Sequence, residues 1–115
     1  MTPRHRLYAR LIDGFHARPA EPPHARWRWL EAAHVTGQGD FRLHCHSHVE
    51  MLRYALALRD FREAAGQVFR LALVPLGHAL GRLPAGNTGR AAVNAFRPMP
   101  VPPDVEKLIQ ITRVK

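Results

Sequence analysis

Two pairs of metal-competent side chains at helical spacing fall within one short stretch of the 115-residue chain: Glu31 and His34 in LEAAHVTGQ, then His44 and His48 in HCHSHVEML. Glu-x-x-His sets a carboxylate and an imidazole about one helical turn apart, a spacing that helical bundles use to hold metals. His-x-x-x-His puts two rings on the same side of a helix, a clamp suited to Zn, Ni, Cu or Fe. The segment between the two motifs, GQGD, reads as a tight turn. Two helices running antiparallel away from that turn bring all four groups to one end. Glu63 in DFREAAGQ is a supplementary carboxylate, although its capping-box spacing from Asp60 gives it another task. The candidate ligands are therefore Glu31, His34, His44, His48 and Glu63, and the implied cofactor is a transition metal ion (Fe, Zn, Mn or Cu). The competing reading keeps the same histidines as metal-free core residues, hydrogen-bonded to Glu31 and to backbone carbonyls.

The remaining reactive residues carry weaker patterns. Cys45 adjoins the clamp but, on a helical stripe, reads as core filling. His46 points away from His44 and His48 and is expected in solvent. His5, His16, His24 and His78 show no pairing by spacing. Gly86-Asn87-Thr88-Gly89 has the composition of an anion-binding nest or of a plain tight turn, and lacks the strand and helix of a nucleotide loop.

The elements that must position these groups are helical. Thr2-Pro3 starts a first helix that carries Leu7, Leu11 and Phe15 to about His16. Prolines 19, 22 and 23 break the chain, and a second helix runs from near Pro23 to about Thr36, with Trp27, Leu30, Glu31 and His34 on one face. A third covers roughly Phe41 to Leu58, with an expected inward stripe of Phe41, His44, Cys45, His48, Met51, Leu52 and Ala55. A fourth restarts at Asp60 and is expected to pack through Phe61, Ala64, Ala65, Val68 and Ala72, with Pro75 and Gly77 ending or kinking it before Leu80. Residues 81–103, rich in Pro and Gly with scattered apolar residues (Val93, Phe96, Met99, Val101), read as an extended strap over the helices. A short last helix occupies 104–112. The expected class is all-α in a single domain spanning 1–115. Its core is two successive helical hairpins, tetratricopeptide-like or an irregular bundle.

Composition bounds the function. The apolar fraction of 46% and charged fraction of 23% are those of a folded chain. No run of residues has the length and apolarity of a membrane span, and the N-terminus lacks the apolar core of a secretory signal. One cysteine forms no intramolecular disulfide, which suits a reducing cytoplasm. The formal charge of +8 would favour nucleic acid if it were concentrated. The arginines are instead scattered from Arg4 to Arg113, with no recognition motif, so nucleic acid is disfavoured as a partner.

Taken together, LEAAHVTGQ, HCHSHVEML, RDFREAAGQ, GRLPAGNTG and AFRPMPVPPD resemble a family of small bacterial proteins that carries only a domain-of-unknown-function label. The resemblance covers about residues 27–108. It implies that Glu31, His34, His44, His48, Glu63, Gln67, Asn87 and Thr88 occupy family-pattern positions, whereas Cys45 and His46 do not. One arrangement that would account for the pattern has the strap carry Asn87 over the fourth helix, turning Glu63 and Gln67 inward.

Two functions are compatible with this sequence. The first is a cytoplasmic metal-binding protein, acting as a small oxidase or hydrolase or as a metal carrier or sensor. The second is a metal-free interaction module whose partner is another protein or a second copy of the chain.

Overall fold

The computed structural model describes residues 1–81, 85–93 and 97–114. The fold is all-helical: α1 (Pro3–His16), α2 (Pro23–Gly37), α3 (Phe41–Ala57), α4 (Phe61–Leu80) and α5 (Pro103–Arg113), with no strand among the described residues. Local chemistry sets the starts. The hydroxyl of Thr2 accepts from the His5 amide at 3.2 Å, and the carboxylates of Asp40 and Asp60 each accept, at 3.1 Å, from the amide three residues on. Proline occupies the first turn of α1, α2 and α5, where its missing N–H costs nothing. Arg59, with φ of 57°, reverses the chain between α3 and α4, and Gly81, with φ of 65°, ends α4.

α2 lies at the centre, packed against α1, α3 and α5, while α4 packs on α3. The core joins Leu7, Leu11 and Phe15 of α1 to Trp27 and Leu30 of α2, Met51, Tyr54 and Ala55 of α3, and Val105 and Ile109 of α5. Leu11, Leu30 and Met51 are fully enclosed, each contributing roughly 1.5–3 kcal/mol of burial. No helix among the described residues is long and apolar enough to cross a membrane.

Two inward faces differ from expectation. In α3, Phe41 is exposed while Cys45 and Leu52 are only half-buried; Ser47, Glu50 and Tyr54 join His44, His48, Met51 and Ala55 inside. In α4 the reversal is larger. Phe61, Ala65, Val68 and Ala72 are exposed, and the buried residues are Glu63, Ala64, Gln67, Arg70 and Val74. The reason is the strap. Its described residues bring backbone carbonyls and Arg90 against the polar side of α4, so that side has partners indoors and the apolar side does not need to turn in. α4 also continues through Pro75 to Leu80 as one helix. Phe96, one of the apolar residues of the expected strap, lies outside the described residues.

The strap is held by charge as well as by backbone. Arg90 bonds Glu63 and Glu31, both at 3.1 Å, and its guanidinium lies 3.8 Å over the Trp27 ring. Arg28 bonds the other oxygen of Glu31 at 2.6 Å and also pairs with Asp104 at the start of α5. Close approach at Gly66 completes the attachment: a Cβ there would sit 2.3 Å from the Cβ of Ala91. Replacing Arg90 by Ala removes the cation shared by two buried carboxylates and should cost about 3–5 kcal/mol. Urea denaturation measures it; Arg62→Ala, on an exposed site, is the neutral comparison.

Candidate metal centre

His34 comes from the last turns of α2, and His44 and His48 from the first turns of α3, so the short connection at 38–40 folds the three rings onto one another. One nitrogen from each ring lies within 4.8 Å of the other two. Ring centroids are 5.0 Å apart for His34 and His44, 4.7 Å for His34 and His48, and 5.1 Å for His44 and His48. All three side chains are buried, with relative exposures of 2%, 5% and 2% for His34, His44 and His48.

Each ring is hydrogen-bonded through Nδ1. His34 donates to the Asn87 carbonyl at 2.8 Å, which fixes its proton on Nδ1 because a carbonyl only accepts. His48 faces the Gln67 Oε1 at 2.7 Å. The orientation of that amide is decided by its other end, where Nε2 donates to Glu63 at 2.8 Å and to the Gly89 carbonyl at 2.9 Å. Gln67 therefore presents oxygen to His48, and His48 also carries its proton on Nδ1. His44 Nδ1 lies 3.0 Å from Nε2 of His78, and the same tautomer follows when His78 accepts. All three Nε2 atoms are then left with lone pairs, the form in which imidazole binds metal.

Burial sets the protonation. Desolvation, reinforced by the neighbouring rings of His48 and His78, holds His44 down to about 3. Desolvation brings His48 to about 4, with the Gln67 bond opposing the shift and Arg70 adding to it. His34 lies well below the usual imidazole range, chiefly through desolvation and then through His48 and His44. All three are neutral near pH 7, so a metal ion would displace no protons from them.

The two carboxylates are placed elsewhere. Glu31 is buried but directed to Arg28 and Arg90, and Glu63 to Arg90, Gln67 and the Ala91 amide at 2.9 Å. Neither is in the group of three converging nitrogens. Spacing alone put them beside the histidines; the guanidinium of Arg90, contributed by the strap, captured them. Cys45 is half-buried and its thiol is pushed up by burial, away from reactivity. His46 is exposed, bonded to the Tyr8 hydroxyl at 2.7 Å and 3.5 Å from Glu50.

Three further participants, His78, Asn87 and Gly89, are outside the candidate ligand set. His78 ends the stripe Glu63, Gln67, Arg70, Val74, His78, which repeats at helical intervals along α4; the pattern was legible but points the polar side inward, against the usual rule. Asn87 serves His34 through its backbone oxygen, and its side chain accepts from the Gly89 amide at 2.9 Å while donating to Arg97 O at 3.1 Å. Gly89, with φ of 83°, lets the turn lie flat on His34: a Cβ there would be 2.7 Å from the imidazole Cδ2. GNTG is thus a buried turn that seats a histidine, with Asn87 and Thr88 almost wholly enclosed.

Over residues 4–109 the sequence matches the family described as protein of unknown function (DUF3703). No curated protein and no solved structure matches it.

The depressed imidazoles make acid stability testable without metal. Unfolded, each titrates near about 6.5; folded, they refuse protons until well below that. Above about pH 6.5 both states are neutral and these groups give no pH dependence. As pH falls from there toward 4, the unfolded chain binds protons that the folded one does not, so stability is lost. Denaturation of metal-free protein at about pH 7.5, 6 and 5 should show that decline, and His44→Asn should lessen its slope by roughly one proton. A profile unchanged by the substitution would mean that His44 is solvated in the folded state.

Proposed function

Since the chain belongs to the DUF3703 family of proteins of unknown function, a designation that names no activity, we propose from its own side chains that it is a metal-binding protein with His34, His44 and His48 as ligands. The observation that carries this reading is the convergence of three buried, neutral imidazoles, each hydrogen-bonded through Nδ1, with the Nδ1 protons of His34 and His48 directed to oxygen acceptors. A hydrophobic interior would be filled at lower cost by Leu or Met than by three rings whose polar atoms all need partners.

The donor set indicates which ion. With Glu31 and Glu63 neutralised by arginines, the ligands are nitrogen only, which favours Zn or Cu and disfavours Mn, an ion suited to oxygen. Three neutral protein ligands, the number found in catalytic zinc sites, would leave a bound ion its full positive charge. Such an ion supplies Lewis acidity, or a more acidic bound water, to whatever reaches it. The chain's own part is to hold the three rings: Gln67, His78 and the Asn87 carbonyl keep them turned, and Gly89, having no side chain, leaves room for the His34 ring against the turn. The enclosure of all three rings favours a resident ion over a rapidly exchanged cargo. The reading as a metal-free interaction module predicts the opposite behaviour in the same experiment.

Protein made without a polyhistidine tag, stripped and titrated with Zn or Co, should bind about one equivalent and gain about 2.7 kcal/mol of stability at a hundredfold excess over Kd. His34→Ala, His44→Ala and His48→Ala should each abolish the gain, and His46→Ala should leave it intact. Gln67→Leu should keep the three ligands but weaken binding by about 10–100-fold. Absence of any stabilisation by Zn, Co or Cu would instead establish the histidines as a metal-free polar core.

A further inference from the structure

α4 exposes its apolar side along its whole length. Phe61, Ala65, Val68, Phe69, Ala72, Pro75, Leu76, Ala79 and Leu80 are all exposed and recur at helical intervals, opposite the buried Glu63, Gln67, Arg70 and Val74. The large members are substantially uncovered: Phe61 66%, Val68 55%, Phe69 56%, Leu76 54% and Leu80 60%. Arg62 is the one exposed charged residue on the helix, because Glu63 and Arg70 are both committed inward. An aromatic side chain carries 150–250 Å² of buriable surface, so these five together leave on the order of 500 Å² open, at the upper end of what a monomer tolerates.

We propose that this face pairs with the same face of a second copy, the two α4 helices running antiparallel about a two-fold axis that passes beside Arg70 and Leu71. Two arguments choose that occupant. The first is area. Two such faces remove roughly 1,000 Å² from these side chains alone, about the threshold of a specific interface. The second is self-complementarity, which a two-fold interface requires because each patch must fit itself. Ala65, Ala72 and Ala79 are spaced by seven residues, the period that keeps one seam facing a neighbouring helix. With the axis at the middle of α4, Phe61 lies opposite Leu80 of the second copy, Ala65 opposite Leu76, and Phe69 opposite Ala72. Large thus meets small at both inner positions, and no charge is brought against another. A helix lying in a lipid interface needs basic residues along its polar side; here that side is buried against α3 and the strap.

Sedimentation of the full chain at micromolar concentration should give twice the 13.0 kDa chain mass. Phe69→Glu and Ala72→Glu should each raise the dissociation constant about tenfold or more, while circular dichroism shows unchanged helix content, since both sites are already exposed. Ile111→Glu, on an exposed apolar residue of α5, should leave the dimer intact. Orientation has its own readout. In a Cys45→Ser background, a mixture of Ala65→Cys and Leu76→Cys chains should form the mixed disulfide in preference to either symmetric one. A monomer at these concentrations, symmetric disulfides from a parallel pairing, or a monomer that instead co-sediments with phosphatidylserine vesicles through Phe69 would each overturn the proposal.

Discussion

Three imidazoles held in a dry interior need three hydrogen-bond partners at Nδ1, and most of the rest of the molecule is arranged to supply them. All three partners come from beyond the helices that carry the rings, among them Gln67 from α4 and the Asn87 carbonyl from the strap. The third, His78, sits at the far end of α4 beside Phe41, its ring 5.3 Å from the phenyl ring. Leaving even one such donor unmet would cost about 1–3 kcal/mol. The polar side of α4 therefore faces inward, because only that side carries the required oxygen.

This constraint connects the Gly-Gln pair of α4 to the centre. Gly66 admits Ala91 of the strap at a distance that no side chain would allow, and the adjacent Gln67 bridges Glu63, the Gly89 carbonyl and His48. The carboxylates then serve the structure one step back from the rings. Glu63 orients Gln67, and with Glu31 it anchors Arg90, which ties the strap across the helices. A network of this kind is a stronger specifier of one arrangement than an apolar core of equal volume, since every member has a directional partner.

The fold and the centre were legible in the sequence to different depths. Helix limits followed from Thr2, Asp40, Asp60 and the prolines, because capping acts over three or four residues and is written locally. The approach of His34 to His44 and His48 was also legible, since a short turn between two helices leaves little choice of geometry. For α4, hydrophobic periodicity alone turns Phe61, Ala65, Val68 and Ala72 inward; the arrangement with Glu63 and Gln67 inward beneath the strap follows only from the family pattern, and it is the one the structure has. Hydrophobicity says which side of a helix avoids water, but an apolar side is equally satisfied by the core or by another chain.

What the sequence determined by itself, then, was the helical class, the breaks between helices and the meeting of three histidines, all consequences of contacts between near neighbours. Only the tertiary structure decided that Glu31 and Glu63 belong to Arg28 and Arg90, that His78 and Asn87 support the rings, and that Gly89 must have no side chain. These depend on residues up to 59 positions apart. Whether a carboxylate meets a cation or a histidine at that range is settled by how the strap crosses α4, and no spacing along the chain encodes it.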